Sequence, residues 1–281
     1  MLYPLSYEGA RLRVAVWPPA RGEDVLGGRY RSHVSITAQL DPARVTRSLA
    51  RHHPLGASTG IFDEDRGDWP TLVRRACEIS SFAVELSALA GPELISLSSY
   101  LAHAPRLPFR YVSVHAPAKA LAEPEAQTVR RLGALPLWVR SVVVHPDALV
   151  EPQRYRALGT RLVLENMDAR KPVGRSADEL EEFFEVLPDA GFCFDIAHAH
   201  SLDPSMELAE ELLHRYGSRL RQVHLSSLID GEHVPLRDAD ARSFAAVLDR
   251  CRDVPWILEA RPPQSWEPLL APAGHALELA A

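Results

Sequence analysis

The sequence predicts a (β/α)₈ TIM barrel with an N-terminal extension. Eight short apolar runs alternate with helix-like stretches at intervals of roughly 25 to 35 residues, which suits one strand and one crossover helix per unit. Runs this apolar are typical of parallel strands covered on both faces. Eight units within about 225 residues fit a barrel of the usual size, roughly 250 residues. The alternative, an open doubly wound sheet, usually has fewer strands and a glycine-rich first turn, and the sequence has no GxGxxG motif.

The predicted strands are short β-rich runs separated by turn and helix signals. In chain order they are Leu55–Phe62, Phe82–Leu86, Tyr111–His115, Ser141–His145, Arg161–Glu165, Gly191–Asp195, Leu220–His224 and Pro255–Glu259. Each of the last six ends on a histidine or an acidic residue.

Helical periodicity marks the segments between the strands. Apolar residues three or four positions apart predict a helix over Trp69–Ile79. Ser176 and Glu179 form a capping box at the start of another helix, which ends before the next proline. The same spacing predicts helices over Met206–Tyr216 and Ala241–Cys251.

Residues 1–54 do not share this rhythm. They contain paired prolines, paired glycines, many arginines and two short strand-like runs at Leu12–Trp17 and His33–Thr37. We expect them to form an N-terminal arm, as a hairpin or partly disordered, that precedes a TIM barrel over residues 55–281.

Composition and charge are those of an ordinary globular protein. Of the 281 residues, 46% are hydrophobic and 24% are charged, and the formal net charge is −6. The acidic balance counts against nucleic acid as a partner, although a local basic patch would still allow one. The three cysteines lack CxxC spacing, which argues against a disulfide framework and a thiolate zinc site. Without a leader-like segment or a membrane-spanning apolar run in the sequence, we expect a cytoplasmic protein with no membrane partner.

The ends of the predicted strands carry most of the polar chemistry. Side chains alternate along a strand, so Ser113 shares a face with His115, and Cys193 shares one with Asp195. If that face lines the barrel, the terminal side chains converge at the carboxyl ends of the strands, where barrel enzymes have their catalytic groups. The side chains concerned are His115, His145, Glu165, Asp195, His224 and Glu259.

A divalent cation explains this gathering of donors. One histidine or carboxylate at a strand end is ordinarily a surface, capping or ion-paired residue, so the inference depends on all of them together. Several carboxylates packed without a cation would be costly through desolvation and repulsion. Imidazole and carboxylate donors favour Zn²⁺, Mn²⁺ or Fe²⁺, and we expect one to three ions. In the loops beyond the strands, His198 and His233 are further candidate ligands, whereas His200 is expected to lie outside.

With these residues in place, the chain resembles the xylose-isomerase-like TIM-barrel superfamily over residues 55–260. That superfamily includes sugar phosphate isomerases and epimerases and apurinic-site endonucleases of the endonuclease IV type (AP endonuclease family 2). The resemblance implies one four-residue metal set, which is Glu165, Asp195, His224 and Glu259. It also implies that His198 contacts substrate and that Glu165 and Glu259 are catalytic carboxylates moving protons at adjacent carbons.

The endonuclease side of the superfamily implies a larger cluster. Its further metal ligands match His115, His145 and His233. In that case an activated water would attack a phosphodiester. The aspartate that usually precedes the last histidine by two positions is replaced by Gly231, so Asp230 or Glu232 would have to substitute for it.

The loop after the fifth strand, ENMDARKPVGRS, is basic and leads into the helix that follows Ser176. Backbone amides and the helix dipole favour an anion at such a place. We therefore expect Arg170, Lys171 and Arg175 to bind a phosphate or carboxylate of the substrate. The alternative is a solvated basic loop with an ordinary helix cap.

Four functions are compatible with these residues. A divalent-metal isomerase or epimerase of a small sugar, sugar phosphate or related ketose leads, because the four-residue metal set is complete and the larger cluster has the gap at Gly231. The others are a metal-dependent phosphoester hydrolase, a multinuclear iron oxygenase acting on a peptide, and a barrel that binds a ligand without turnover. One bound ion would favour isomerisation, and two or three would favour hydrolysis or oxygenation. A sugar-like small molecule is the expected partner, and the sequence leaves open whether the chain forms a homo-oligomer.

Overall fold

A computed structural model of the chain describes residues 55–260, apart from residues 105 and 120. The expected arm over residues 1–54, and the end of the expected barrel domain beyond residue 260, lie outside the described residues. Within the described ranges, eight parallel strands form a closed barrel, which confirms the predicted fold class. The last barrel strand pairs with the first and so closes the sheet.

The first seven barrel strands are the first seven strands of the described chain, and a short antiparallel hairpin separates the seventh from the eighth. The barrel strands are β1 (Leu55–Ser58), β2 (Ala83–Ser87), β3 (Tyr111–His115), β4 (Ser141–Val144), β5 (Leu162–Glu165), β6 (Gly191–Asp195), β7 (Leu220–Leu225) and β10 (Trp256–Leu258). The antiparallel hairpin consists of β8 (Ser227–Ile229) and β9 (Glu232–Val234).

The α-helices lie along the chain between the strands. They are α1 (Trp69–Ile79), α2 (Gly91–His103), α3 (Glu125–Gly133), α4 (Ala177–Val186), α5 (Ile196–Leu202), α6 (Glu207–Tyr216) and α7 (Asp238–Asp249). Helix α1 has the predicted bounds. Helix α4 begins after the predicted cap, where the Ser176 hydroxyl accepts a hydrogen bond from the amide of Glu179 at 3.2 Å. No helix in the described ranges combines the length and the apolar character that a membrane span requires.

Two parts of the predicted pattern were wrong. Strand β1 ends at Ser58 rather than at Phe62, because the Ser58 hydroxyl accepts a hydrogen bond from the amide of Gly60 and the chain turns into a 3₁₀ helix. The connection from β4 to β5 has no α-helix; its longest element is the 3₁₀ helix Pro152–Arg161. Gly159 interrupts the helical geometry of that segment with a φ of 55°.

The hydrophobic core lies mainly between the barrel and its helices. Phe192, Phe194 and Trp256 are fully buried there together with Phe244 of α7. A much smaller apolar cluster, Val143, Val163 and Cys193, is separate from that core. The strands thus direct one set of alternate side chains to the helices, and the other set is left for the barrel interior.

Candidate metal centre

The carboxyl ends of the barrel strands bring the eight predicted metal ligands into overlapping groups. Within each group the ligand atoms lie within 4.8 Å of one another. The strand registers place Asp195 beside His224 and Glu165 beside Cys193. Glu165, Asp195 and His224 are at most 1% exposed, so the groups are set into the barrel rather than on its surface.

The first group, called here the His115 group, consists of His115, His145 and Glu165. The Nε2 atoms of the two imidazoles lie 3.1 Å apart. Glu165 Oε2 lies 3.3 Å from His115 Nε2 and 3.5 Å from His145 Nε2. His115 Nδ1 donates to the backbone carbonyl oxygen of Ala116 at 2.8 Å, which turns Nε2 toward the group. Three donor atoms therefore converge on one point.

The central group consists of Glu165, Asp195, His224 and Glu259. His224 Nδ1 lies 3.1 Å from Glu259 Oε2 and 3.5 Å from Glu165 Oε1. Because Glu165 faces the His115 group with Oε2, its carboxylate bridges the two groups. Cys193 also lies within ligand reach of Glu165 and His224, but burial raises the pKa of its thiol well above the ordinary value. We therefore regard Cys193 as a neutral neighbour of the central group.

The third group, called here the His233 group, consists of Asp195, His198 and His233. His198 Nδ1 donates to the carbonyl oxygen of Asn166 at 2.9 Å, and His233 Nδ1 lies 2.7 Å from Ser226 Oγ. These contacts leave the Nε2 atom of each ring for another partner. The carboxylate nearest to His198 Nε2 outside the group is that of Asp168, whose Oδ2 is 3.6 Å away.

The hairpin between β7 and β10 carries His233 to this group. Its two turn residues, Asp230 and Gly231, have φ values of 51° and 81°, as the tight turn of a two-residue hairpin requires. A Cβ at Gly231 would lie 2.5 Å from Nη1 of Arg170, so a guanidinium occupies the space beside this position. Of the two acidic residues considered as substitutes, Glu232 lines the cavity over the groups and Asp230 does not.

Local hydrogen bonds fix Asp195 at the junction of the central and His233 groups. Its Oδ1 accepts a hydrogen bond from the amide of His198 at 2.7 Å and so caps α5. The side chain of Asn166 accepts from the amide of Asp195 and donates to its carbonyl oxygen, both at 2.8 Å. Asp195 Oδ2 is left without a hydrogen-bond partner in the described residues.

The donors present fit a divalent cation. Three buried donor atoms of the groups lack a hydrogen-bond partner within the described part of the chain: Glu165 Oε2, Asp195 Oδ2 and His224 Nδ1. A tetrahedral ion with bonds of about 2.1 Å holds its ligands about 3.4 Å apart. The donor separations of 3.1 to 3.5 Å in the His115 group match that spacing. Orphaned buried polar atoms at ligand spacing indicate a cation site.

Burial and close pairing also set the protonation of the groups. Burial alone would raise the pKa of Glu165, but His224, His145 and His115 hold it well below its usual range, so this carboxylate is ionised. Burial alone would lower the pKa of His115, but the close approach of the Glu165 carboxylate and its negative charge raise it to about 9. Burial lowers the pKa of His145. At neutral pH the proton between the two rings therefore resides on His115.

A cavity of about 180 Å³ opens over the three groups. Its walls include the cations Arg66, Arg170 and Lys171 as well as the acidic residues Asp168 and Glu232. Arg175 is not part of the cavity lining; it pairs with Glu179 at 2.8 Å at the start of α4. Of the predicted anion-binding residues, only Arg170 and Lys171 face the site.

Several residues at the site were not predicted as functional from the sequence. They are Arg66 and Asp168 on the cavity wall, Asn166 and Asp147 as hydrogen-bond or ion-pair partners of the groups, and Glu85 below them. Glu85 shares a strand face with Ser87 by alternation, which is the one sequence signal that places it inside the barrel. His200, expected to lie outside, packs against Phe244 with ring centroids 5.1 Å apart.

The fold and the donors together define a TIM barrel with a candidate polynuclear cation centre at the carboxyl ends of its strands. A family model described as a xylose isomerase-like TIM barrel matches residues 152–279. The predicted resemblance to the xylose-isomerase-like TIM barrels is therefore confirmed. No curated protein matches the sequence.

Solved structures share the fold over most of this chain. Endonuclease IV from Thermus thermophilus is 22% identical with a TM-score of 0.51, over 75% of this chain and 94% of that one. A xylose isomerase domain protein from Alicyclobacillus acidocaldarius subsp. acidocaldarius is 16% identical with a TM-score of 0.54, over 81% and 99%. D-psicose 3-epimerase with D-tagatose from Clostridium cellulolyticum is 12% identical with a TM-score of 0.50, over 80% and 97%. At these identities the likeness shows the fold alone.

Proposed function

We propose that this protein is a divalent-metal enzyme that hydrolyses a phosphoester of a small molecule. The observation that carries the proposal is the sharing of Glu165 and Asp195 among neighbouring groups of donor atoms. An isomerase needs one ion at the central group, whereas the His115 and His233 groups add sites next to it. Neighbouring ions bridged by a carboxylate suit displacement at phosphorus, where the attacking and leaving oxygens both need charge stabilisation.

Some residues of the chain would bind the metal ions and others would bind the substrate. Zn²⁺, Mn²⁺ or Fe²⁺ bound at the groups would act as Lewis acids on phosphoryl oxygens and lower the pKa of a water molecule. Glu165 contacts the His115 group through Oε2 and the central group through Oε1, and Asp195 belongs to both the central and the His233 groups. Because these side chains are buried, they are already organised before substrate arrives.

The three cations that line the cavity support a phosphate as the group that is recognised. Each of these cations is held in place by a carboxylate, in the pairs Lys171–Asp147 at 2.9 Å, Arg170–Asp168 at 2.5 Å and Arg66–Glu93 at 3.2 Å. The side chains of Arg170 and Lys171 are 53% and 27% exposed, so both can reach an anion in the cavity. A dianionic phosphate between these cations and the metal groups would have opposite charge on both sides.

A metal-dependent isomerase or epimerase of a small sugar or sugar phosphate is the second candidate. The observation that favours it is that Glu165 and Glu259 both line the cavity and both belong to the central group. Two carboxylates beside one ion could move a proton between adjacent carbons while the ion polarises the substrate oxygen. In that case the central group alone would be needed for turnover.

Elemental analysis of protein purified without added metal, followed by a substrate screen, separates these candidates. Two or more ions per chain, with release of phosphate from phosphomonoesters or cleavage of phosphodiesters or abasic DNA to phosphomonoester products, would support the hydrolase. One ion and interconversion of sugars or sugar phosphates would support the isomerase. Iron with oxygen consumption would indicate an oxygenase, and ligand binding without turnover would indicate a binding barrel; either result would overturn the hydrolase proposal.

The loop that contains Lys171 also provides a matched control for the proposed phosphate contact. Lys171→Ala should raise KM for a phosphorylated substrate with a smaller effect on kcat, because the lost contact is made to a part of the substrate that is charged throughout the reaction. Arg175→Ala removes a neighbouring cation that does not line the cavity, and it should leave KM unchanged. Equal effects of the two variants would exclude a phosphate contact by Lys171.

A further inference from the structure

A buried carboxylate lies in the barrel interior below the metal groups. Glu85 is in the middle of β2, in register with Ser58 and Ser113 of the neighbouring strands, and its exposed fraction is 0%. It belongs to none of the candidate ligand groups in the described residues, and its Oε1 has no hydrogen-bond partner there. Burying a carboxylate without partners costs free energy, so the groups that contact Glu85 indicate its role.

The contacts of Glu85 connect it to one ligand of the central group. Its Oε2 accepts hydrogen bonds from Ser113 Oγ at 3.0 Å and from Gln222 Nε2 at 2.6 Å. The same oxygen lies 3.2 Å from His224 Nε2. Gln222 is fixed in turn by the hydroxyl of Tyr111, which donates to its Oε1 at 2.8 Å. The carboxylate is thus anchored on one side and faces the imidazole of His224 on the other.

The two neighbours of His224 Nε2 would place its proton differently. The amide nitrogen of Gln222 lies 2.8 Å from Nε2, and an N–H donated there would require the ring proton to be on Nδ1. Glu85 can only accept, so it requires the ring proton to be on Nε2. Nδ1 is the nitrogen that faces Glu165 and Glu259, and only an unprotonated Nδ1 can bind a cation.

We propose that Glu85 is a positioning residue of the metal centre: it accepts the Nε2 proton of His224 and so leaves Nδ1 free for a cation in the central group. The inference rests on the proposed function only in requiring that the centre binds cations. It assigns Glu85 a role outside the ion's own ligands, in which a carboxylate fixes the orientation and the tautomer of a metal-binding imidazole. Gln222 then serves as a donor to Glu85 rather than to the ring.

Zinc affinity of the full chain tests this without any assay of turnover. Glu85→Gln keeps the shape of the side chain but lets an amide face Nε2, and it should weaken Zn²⁺ binding by about 10- to 100-fold in a competition titration with a chelator. Glu85→Asp keeps the charge and should restore part of the affinity. Ser113→Ala is the matched control, because it removes a hydrogen bond to Glu85 and leaves the contact between Glu85 and His224 in place.

Nitrogen NMR of the zinc-loaded, ¹⁵N-histidine-labelled chain provides a readout that needs no variant at Glu85. The His224 signals, assigned by their loss in His224→Asn, should show a proton on Nε2 and zinc on Nδ1. The reverse assignment, or unchanged zinc affinity in a folded Glu85→Gln variant, would overturn the positioning role while leaving the hydrolase proposal intact. If the unaltered chain bound no divalent cation, both proposals would be wrong.

Discussion

Cation binding at the His115 group should strengthen steeply as the pH rises from about 7 to about 9. In the metal-free chain, pairing with Glu165 against the opposing effect of burial raises the pKa of His115 to about 9. The exchangeable proton is on Nε2, because Nδ1 donates to the carbonyl oxygen of Ala116. A cation and a proton use the same lone pair of Nε2, so one must leave before the other binds.

The size of the effect follows from this pKa. At about pH 7 a ring with a pKa of about 9 is protonated in about 99% of molecules. Removing the proton costs about 1.4 kcal/mol per pH unit, so roughly 3 kcal/mol separates binding at pH 7 from binding at pH 9. The apparent association constant should rise about tenfold per pH unit, and an ion bound near pH 7 should release about one proton from His115.

Isothermal titration calorimetry measures both quantities on the metal-free full chain. Titrating Zn²⁺ in buffers of different ionisation enthalpy gives the number of protons released, and a chelator-buffered pH series gives the slope. His115→Gln should lower the slope and the proton release by about one each. His200→Gln should change neither, because that ring packs on Phe244 and belongs to none of the ligand groups in the described chain. A flat affinity between these pH values would show that His115 is unprotonated, and the reasoning from its pairing with Glu165 would be refuted.

Three further outcomes follow from the structure. In the metal-free chain the raised pKa of His115 stabilises the fold fully below the unfolded pKa of 6.5, and this stabilisation is lost as the pH approaches about 9. The contribution of His115 to the free energy of unfolding should therefore fall by about 3 kcal/mol over that interval. Chemical denaturation at several pH values measures this change. Glu165→Gln should abolish turnover and reduce the number of bound ions, measured by elemental analysis, because its oxygens serve both the His115 and the central group; full activity would contradict either enzymatic mechanism. Phe192→Ala in the core should lower the unfolding free energy by about 3 to 5 kcal/mol, whereas Leu137→Ala, at a side chain that is 84% exposed, should change it little. Thermal melts of the two variants measure this difference in stability.

The barrel and its ring of donors could be predicted because both signals are local in sequence. An apolar run that ends on a histidine or a carboxylate is visible within five residues, as at Tyr111–His115 and Gly191–Asp195. Alternation along a strand then gives the face, and closure of a parallel barrel brings the ends together. The bounds were wrong where one side chain redirects the backbone, as Ser58 does at the end of β1.

The residues that could not be predicted contact partners that are distant in sequence. Glu85 has its partners on β3 and β7, and no spacing along the chain connects it to Gln222 or His224. Arg66 reaches the cavity from the segment after β1, far in sequence from the loop of Lys171. Conversely, the position of Arg175 in the same loop predicts an anion contact, but its pair with Glu179 keeps it from the cavity lining.

Charge balance would limit how many ions the candidate metal centre can bind before substrate does. The central group contributes three carboxylates, and the buried Glu85 beneath it is a fourth. The cations Arg170 and Lys171 are already paired with Asp168 and Asp147, so they add little net charge. Two divalent ions would neutralise the four carboxylates, and a third would leave a buried excess of positive charge, which is costly.

A dianionic phosphate bound beside the ions would offset that excess, so we expect the His233 group to take up its ion together with the anion. Elemental analysis after equilibration with Zn²⁺ should therefore give about two ions per chain, and about three when inorganic phosphate is present. His233→Gln should lose only the phosphate-dependent ion, because this ring belongs to the third group alone. Three ions held in the absence of any anion would contradict the charge balance and would indicate that further groups, such as Glu232 on the cavity wall, take part in binding.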